Sequence, residues 1–406
     1  MRRSFRFLLR PTARQRIMLT AMLDDHRALY NAALEERREA WRRCKVGIRY
    51  GDQSAQLKEI RAADPDGQGR WSFTSQQQTL RRLNKAFEAF FRRVRNGQTP
   101  GYPRFKGRGW FDTVALVEGD GARWDSQPHH PSATFVRLQG VGHVRTHRHR
   151  PICGRVKQID IKREGVRWYV IVSCDDVPPV PLPATGREVG VDLGVTHFAT
   201  TSTPLTGVSD QAGHIPHPRY RRSAEERLAA AQRAYARTKQ GSGRRRAAAK
   251  KIGAVHRKIA RQRTDHAHKI ALGLVRAADV IVVEDLKIAN MVRSPAPRPN
   301  GDGTFAANGA VAKAALNSGI LDAGWGVFLS ILADKAESAG RVVISVDPRN
   351  TSRTCPAPGC GYVSVENRRT QADFVCVRCG HTANADIVAA SNIMRAGLVL
   401  RNAYTA

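Results

Sequence analysis

The sequence predicts a multidomain fold, α+β in its first half and α/β in its second, on three observations. Apolar residues recur at helical spacing up to about residue 100. They alternate in short β-prone runs from Gly101 to about Thr185, and beyond that apolar strand-like runs alternate with helical ones. At 406 residues the chain has room for two to four domains, and 41% hydrophobic residues is enough for each to bury a core.

The first helical unit, an amphipathic helix or helix pair, is expected from Pro11 to about Arg43. There Leu19, Leu23, Tyr30 and Leu34 recur beneath a face of Arg and Glu. In a second helix Leu80, Leu83, Phe87 and Phe90 step by three and four, and Arg81, Arg82, Lys85, Arg92 and Arg93 fill the other positions. Further on, Ile159 and Ile161 alternate with polar neighbours, Glu164-Gly165 signals a turn, and Trp168, Val170 and Val172 alternate again. That is a hairpin in a small β domain. The proline-rich segment Val177–Pro183 reads as a linker. Strands are then expected at Arg187–Gly194, His197–Thr203, Ala278–Glu284 and Arg341–Val346, the third a buried Val-Ile-Val-Val run. One long helical stretch, about Arg219 to Lys269, fits between the second and third. Ser294–Gly309, rich in Pro, Gly and Asn, reads as a mobile loop or insertion.

Charge narrows the partner. Lys and Arg number 67 against 35 Asp and Glu, a formal charge of +32 with a pI near 10.9, which favours a nucleic acid. The excess is concentrated: residues 1–110 hold 25 basic and 10 acidic side chains, and residues 219–269 hold 17 and 3. Such a density repels itself unless a polyanion is near. No uninterrupted apolar run reaches the ~18–20 residues of a membrane span. The basic Met1–Arg10 is followed by polar residues, not by a signal segment, so a cytosolic protein with no membrane partner is expected.

Three carboxylates interrupt apolar sequence where a metal site would be built. Asp192 lies in Gly-Val-Asp-Leu-Gly at a strand end, Glu284 closes the next hydrophobic strand, and Asp386 stands near the start of the last helix. An acid beside a buried strand is costly unless paired or bound to a cation. Three together would suit magnesium or manganese, and with them the in-line cleavage of a phosphodiester. Asp285, beside Glu284, points to the opposite face and is set aside. Four of the seven cysteines form two pairs, Cys355 with Cys360 and Cys376 with Cys379, fifteen residues apart, a pattern for a closed tetrahedral zinc site. His381 is a weaker candidate ligand, since four thiolates already complete the shell. Cys44, Cys153 and Cys174 are isolated and read as ordinary residues. The zinc would hold a small hairpin carrying Arg368 and Arg369 beside the carboxylates.

In this order, Gly-Val-Asp-Leu-Gly, Val-Val-Glu-Asp-Leu-Lys-Ile-Ala-Asn-Met, Thr-Ser-Arg-Thr-Cys with its cysteine pairs and Ala-Asp-Ile-Val-Ala-Ala-Ser-Asn-Ile resemble the TnpB proteins of bacterial insertion sequences, relatives of the compact type V CRISPR effectors. Tyr30-Asn31, Pro103-Arg-Phe-Lys-Gly-Arg108, Trp325 in Asp-Ala-Gly-Trp-Gly and Asn367-Arg-Arg-Thr-Gln371 add to the resemblance, which spans nearly the whole chain. It departs in the first cysteine pair, two residues longer than the family's usual Cys-x-x-Cys, and at Val388, where the family often has Asn.

The resemblance implies a β-barrel wedge domain (1–10 and 101–180) interrupted by a helical recognition domain (11–100). A RuvC-like, ribonuclease-H-type nuclease domain (181–350) would follow, with a zinc-finger insertion (351–382) and a C-terminal segment (383–406). The implied activity is RNA-guided cleavage of double-stranded DNA, with a structured guide RNA as partner, in the bacterial cytoplasm. By position Asp192, Glu284 and Asp386 match the family's catalytic, magnesium-binding triad, and Cys355, Cys360, Cys376 and Cys379 its zinc ligands. Arg81, Arg82, Arg104, Lys106, Arg108, Arg368 and Arg369 are the candidate nucleic-acid contacts. Two other readings are a miniature type V effector using a CRISPR RNA, and an RNA-guided binding protein that represses without cutting. The latter would be marked by loss of a carboxylate, and all three are present.

Overall fold

The computed structural model describes residues 1–405, which divide into two compact units, Met1–Pro178 and the remainder. In the first unit β1 (Arg3–Arg10) leads into α1 (Ala13–Cys44), α2 (Tyr50–Ala55), α3 (Leu57–Ala63) and α4 (Phe73–Arg95). Six strands follow: β2 (Thr113–Glu118), β3 (Gly121–Arg123), β4 (Thr134–Leu138), β5 (Gly142–His147), β6 (Arg155–Glu164) and β7 (Arg167–Asp175). With β1 they close a barrel in the order β1-β5-β4-β3-β2-β6-β7, so the helices are an insertion between its first two strands. Closure leaves no strand edge unpaired.

Period-two patterning decides what faces inward. Phe5, Phe7 and Leu9 of β1 are buried, as are Ile159 and Ile161 of β6 and Trp168, Val170, Val172 and Cys174 of β7. On the outer face the Arg6 guanidinium lies 3.8 Å from the centre of the Tyr169 ring, a cation–π contact. The expected hairpin is present, as two staves of the barrel.

Of the two alternatives at Pro11–Arg43, the structure has a single 32-residue helix. Thr12 caps it by accepting the Gln15 N–H, and the Gln15 side chain accepts the Thr12 N–H in return. The buried residues of α1 and α4 and the interior of the barrel form one continuous core, so helices and barrel are not separately packed bodies. At their junction Trp71 is 1% exposed and donates its indole N–H to Asp25 at 2.8 Å. Gly140 has φ +75° and lies against that ring, where any Cβ would clash.

The second unit is built on a five-stranded sheet. Its strands are β8 (Glu188–Asp192), β9 (His197–Thr201), β10 (His214–Pro216), β11 (Val280–Glu284) and β14 (Val342–Val346), in the order β10-β9-β8-β11-β14. β8, β11 and β14 run parallel, and every residue of β11 is buried, which explains its unbroken apolar run. The long helical stretch expected from about Arg219 to Lys269 is three helices, α5 (Tyr220–Ser223), α6 (Glu225–Ala236) and α7 (Gly243–Ala277). The break between α6 and α7 falls where Gly241 adopts φ +79° and Ser242 caps α7 by accepting the Arg245 N–H. β10, in the loop before α5, gave no sequence signal. Charge crowding is relieved by exposure: from Gly243 to Lys258, α7 has no buried residue, and its apolar face begins at Ile259.

After β11 come α8 (Ile288–Met291) and a two-stranded ladder of β12 (Arg298–Pro299) and β13 (Phe305–Ala306) inside the segment expected to be loop. Next are α9 (Ala310–Ala323) and α10 (Trp325–Ala339), which the sequence reading did not assign. Residues 310–339 are the most apolar stretch, but Gly324 at φ +72° splits them. The Asp-Ala-Gly-Trp-Gly block therefore has a structural role: Asp322 is buried, pairs with Arg263 of α7 at 2.6 Å and accepts the Arg221 N–H, while Trp325 is 3% exposed in the core. β15 (Asp373–Val375), β16 (Thr382–Asn384) and α11 (Ala385–Thr405) complete the chain.

One buried titratable group sets an acid limit on the first unit. His26, fully buried, places Nδ1 2.7 Å from the Met22 carbonyl and Nε2 2.8 Å from the Ser75 hydroxyl, joining α1 to α4. Burial lowers its pKa from 6.5 to about 4. Between those values the unfolded chain binds a proton that the folded chain refuses, so stability falls as pH falls from 6.5, by about 3 kcal/mol at pH 4. Denaturant titrations at several pH values test this. A His26→Gln chain should lose less stability over the interval, and an identical slope would show that other groups set it.

Candidate active site and cysteine cluster

Parallel pairing brings the first two acids together. The register aligns Val283 of β11 with Val191 of β8, one residue before Glu284 and Asp192, so both acids end neighbouring strands on the same edge of the sheet. α11 supplies the third. It presses onto β8 at Gly190, where a Cβ would collide with the Ala390 carbonyl oxygen, and onto β11 at Gly397, where a Cβ would collide with Val282. That approach sets Asp386 in the first turn of α11, over the strand ends, with Asn384 capping the helix by accepting the Asp386 N–H at 2.9 Å.

The three acids lie within electrostatic reach. Burial, then repulsion from Glu284 and Asp386, pushes the Asp192 carboxyl up to about 8, against smaller opposing effects of Arg368 and the Leu193 N–H. Glu284, 8% exposed, is likewise raised by burial, opposed by the Thr351 hydroxyl donating to Oε1 at 2.8 Å. The Arg368 guanidinium stands 3.7 Å from Asp386 Oδ1, and His197 Nδ1 3.8 Å from Oδ2. That His197 nitrogen is buried without a hydrogen-bond partner, and its ring stacks on His214 with centroids 4.0 Å apart. Asp285 is exposed and pairs with Lys287 at 2.6 Å, away from the cluster. Among the described residues, the one group of three or more Cys, His, Asp or Glu whose ligand atoms all fall within 4.8 Å of one another is made of cysteines. The acids are less tightly drawn.

That group is Cys355, Cys360, Cys376 and Cys379. Cys355 and Cys379 sulfurs are 3.6 Å apart, Cys360 and Cys376 sulfurs 3.7 Å. Disulfide sulfurs would be about 2.05 Å apart, whereas four thiolates each about 2.3 Å from one zinc stand about 3.8 Å apart. The donor set and spacing fit zinc, and both cysteines of the longer first pair reach the cluster. Burial alone would raise the Cys376 thiol, but N–H groups of Cys379 and Arg378 outweigh it and bring it to about 7, whereas burial pushes Cys355 up to about 12. His381 is outside the group, and its carbonyl accepts the Cys376 N–H.

The two knuckles are joined by Asn367, which is fully buried. Its Nδ2 donates to the Arg353 and Tyr362 carbonyls and its Oδ1 accepts the Val377 N–H. Asn392 of α11 ties the module to the acids, donating to the carbonyls of Thr351 and Thr354 at 2.8 Å each. Val388 is 1% exposed and packs with Phe374 and Ala385 under the module, a place for an apolar side chain. The sequence reading missed Thr351, His197 and Asn392. Thr351 and Asn392 carried a signal, their places in the Thr-Ser-Arg-Thr-Cys and Ala-Asp-Ile-Val-Ala-Ala-Ser-Asn-Ile blocks.

The basic candidates divide. Arg368 meets Asp386, and Arg369, the next residue, is exposed. In the first unit, Arg82 packs over Phe111 and donates to the Thr113 carbonyl, so part of its role is internal. Arg81 lies over the Tyr50 ring. Lys106 is half-buried over Tyr30, Arg108 lies 3.3 Å from Asp24, and Arg104 is exposed.

Three family models match the chain. OrfB_IS605, described as "Probable transposase", covers residues 170–295; a Cas12f1-like TNB domain covers 325–393; and a helix-turn-helix domain covers 1–45, which in this structure are one strand and one helix. The "Putative RNA-guided DNA endonuclease InsQ" of Escherichia coli K12 is 31% identical over 97% of this chain and 92% of its own length. A "Putative RNA-guided DNA endonuclease" of Streptomyces pristinaespiralis is 30% identical over 98% and 90%. Among solved structures, that of the mini-RNA-guided endonuclease CRISPR-Cas_phi3 covers 98% of this chain and 92% of its own with a TM-score of 0.53. At 11% identity the likeness is one of fold alone. Identity at this level over nearly the full length of both chains, together with the OrfB_IS605 match, places this chain in the TnpB family of insertion-sequence proteins.

Proposed function

We propose that the chain is an RNA-guided DNA endonuclease whose cutting centre is Asp192, Glu284 and Asp386. The observation that carries this reading is the convergence of those acids at the ends of two parallel strands, in a chain of formal charge +32 whose relatives bear that activity in their names. The sheet with its flanking helices is then a RuvC-like domain interrupted by a zinc module, and the barrel with its helical insertion the wedge and recognition domains. The guide RNA pairs with the target strand, and the protein reads shape and backbone charge. The basic surface of α7 and of residues 1–110 holds those polyanions.

The donor chemistry fits magnesium or manganese: three hard oxygen ligands, two of them raised by burial and so disfavoured as bare anions. Bound there, such ions would lower the pKa of the attacking water and offset charge on the phosphodiester. Around them this chain's residues orient the ligands: Thr351 fixes one oxygen of Glu284, Asn384 fixes the start of α11, and Arg368 adds positive charge beside Asp386. The four-cysteine site, closed by its thiolates, would hold a structural zinc that keeps Arg368 in place.

Asp192→Asn should abolish guide-dependent cleavage of a matching plasmid in magnesium while leaving binding intact, and unchanged cleavage would overturn the assignment. Because a ligating carboxylate must be ionised, the magnesium needed for half-maximal cleavage should fall as pH rises toward 8, as Asp192 releases its proton. Titrating magnesium at pH 6.5 and 8.5 checks the sign. One equivalent of zinc should be found by elemental analysis. Its removal by a strong chelator should lower the melting temperature, and Cys360→Ser should reproduce that loss. RNA that copurifies from the native locus should be one discrete species, and its sequence decides between transposon and CRISPR origin.

A further inference from the structure

The segment joining α4 to β2 is anchored at both ends, and its most exposed large apolar side chain is Trp110. Upstream, Pro103 is buried, and Asn31 of α1 clamps the Lys106 peptide, donating to its carbonyl at 3.0 Å and accepting its N–H at 2.8 Å. Downstream, Phe111 is 2% exposed. Between these anchors the Trp110 N–H bonds to the Gly107 carbonyl at 2.9 Å, a tight turn that carries the indole outward.

Trp110 is 81% exposed, whereas Trp71, Trp168 and Trp325 are 1%, 4% and 3% exposed. Tyr102, at the start of the same segment, packs edge-on against Phe87 and Phe90 at 5.6 and 5.3 Å, while Trp110 has no ring partner among the described residues. Its neighbours in sequence are Arg104, Lys106 and Arg108, and no Asp or Glu occurs between Glu88 and Asp112. A large flat apolar ring held out on a fixed turn, with cations on one side of it in sequence, fits a polyanion whose charged backbone is lined by planar faces.

We propose that Trp110 is a stacking platform for an unpaired nucleobase, with Arg104 and Lys106 neutralising the adjoining phosphates. The inference rests on the nucleic-acid reading above and extends it to a site that neither the carboxylates nor the zinc module supplies. Stacking needs a base that is free of a partner above or below it. The ligand is therefore a single strand or a frayed end, not the interior of a duplex. DNA and RNA both present such bases.

The test compares the full-length chain with its Trp110→Ala and Trp110→Tyr variants. Each binds fluorescein-labelled 12-nucleotide oligo(dT), oligo(U) and a blunt 12-base-pair duplex, over a range of salt. Trp110→Ala should weaken binding to oligo(dT), oligo(U) or both by about 5- to 150-fold, leave the duplex within about threefold, and keep the salt slope, since no phosphate contact is lost. Trp110→Tyr, which keeps a ring, should recover most of the loss. The strand affected names the source of the base. Tryptophan fluorescence quenched on binding in the parent should be diminished in Trp110→Tyr. Equal affinities of parent and Trp110→Ala for both single strands would overturn the platform while leaving the nuclease reading intact. A parent that binds none of the three probes would overturn both.

Discussion

Bringing like-charged carboxylates to one point is the constraint on which the second unit depends. Asp192 and Glu284 sit side by side because β8 and β11 pair in parallel, and Asp386 joins them because α11 lies directly on those strands. Asp192 and Glu284 are made less ionisable by the removal of water, and Asp192 also by the charge of the other two acids, so the arrangement costs folding energy that a bound cation would offset. A fold can hold such a cluster only if the surrounding packing over-determines it. The buried β11, the glycine contacts of α11 and the Trp325 anchor supply that packing.

Polar side chains with several backbone partners connect the cluster to the cysteine module. Thr351 meets Glu284, Asn392 meets the backbone at Thr351 and Thr354, and Asn367 binds both cysteine knuckles. Buried amides of this kind are costly when partly satisfied and rigid when fully bonded, so the module and the acids form one network. Arg368 completes it, held by the module at the Gln371 carbonyl and directed at Asp386. A structural zinc would therefore influence a cation site that it does not touch.

Charge and exposure are distributed along the same logic. The most basic helix begins with sixteen residues of which none is buried, and acquires an apolar face only from Ile259 onward. In the first unit several arginines assigned to nucleic acid also pack on rings or carbonyls of their own chain, Arg82 on Phe111 being the clearest. Guanidinium groups can do both, because their planar faces stack while their edges stay hydrated.

Local pattern determined much of this protein. Period-two runs marked the β6–β7 hairpin, the Val-Ile-Val-Val run marked the central strand, and cysteine spacing marked the four-cysteine cluster, because each signal is carried by residues close in sequence. The three acids were legible for a related reason, as polar interruptions of apolar strands and at a helix start. What sequence could not decide depends on contacts between distant residues. The barrel closes through β1 pairing with β5 and β7, the helical stretch of 219–269 breaks between α6 and α7 at Gly241, and α9 and α10 divide at Gly324 within one apolar stretch. His197 is an ordinary residue in sequence, and Thr351 is marked only by its place in a motif block. They acquired meaning only when the sheet and α11 set them against Asp386 and Glu284, since a partner more than sixty residues away leaves no local trace.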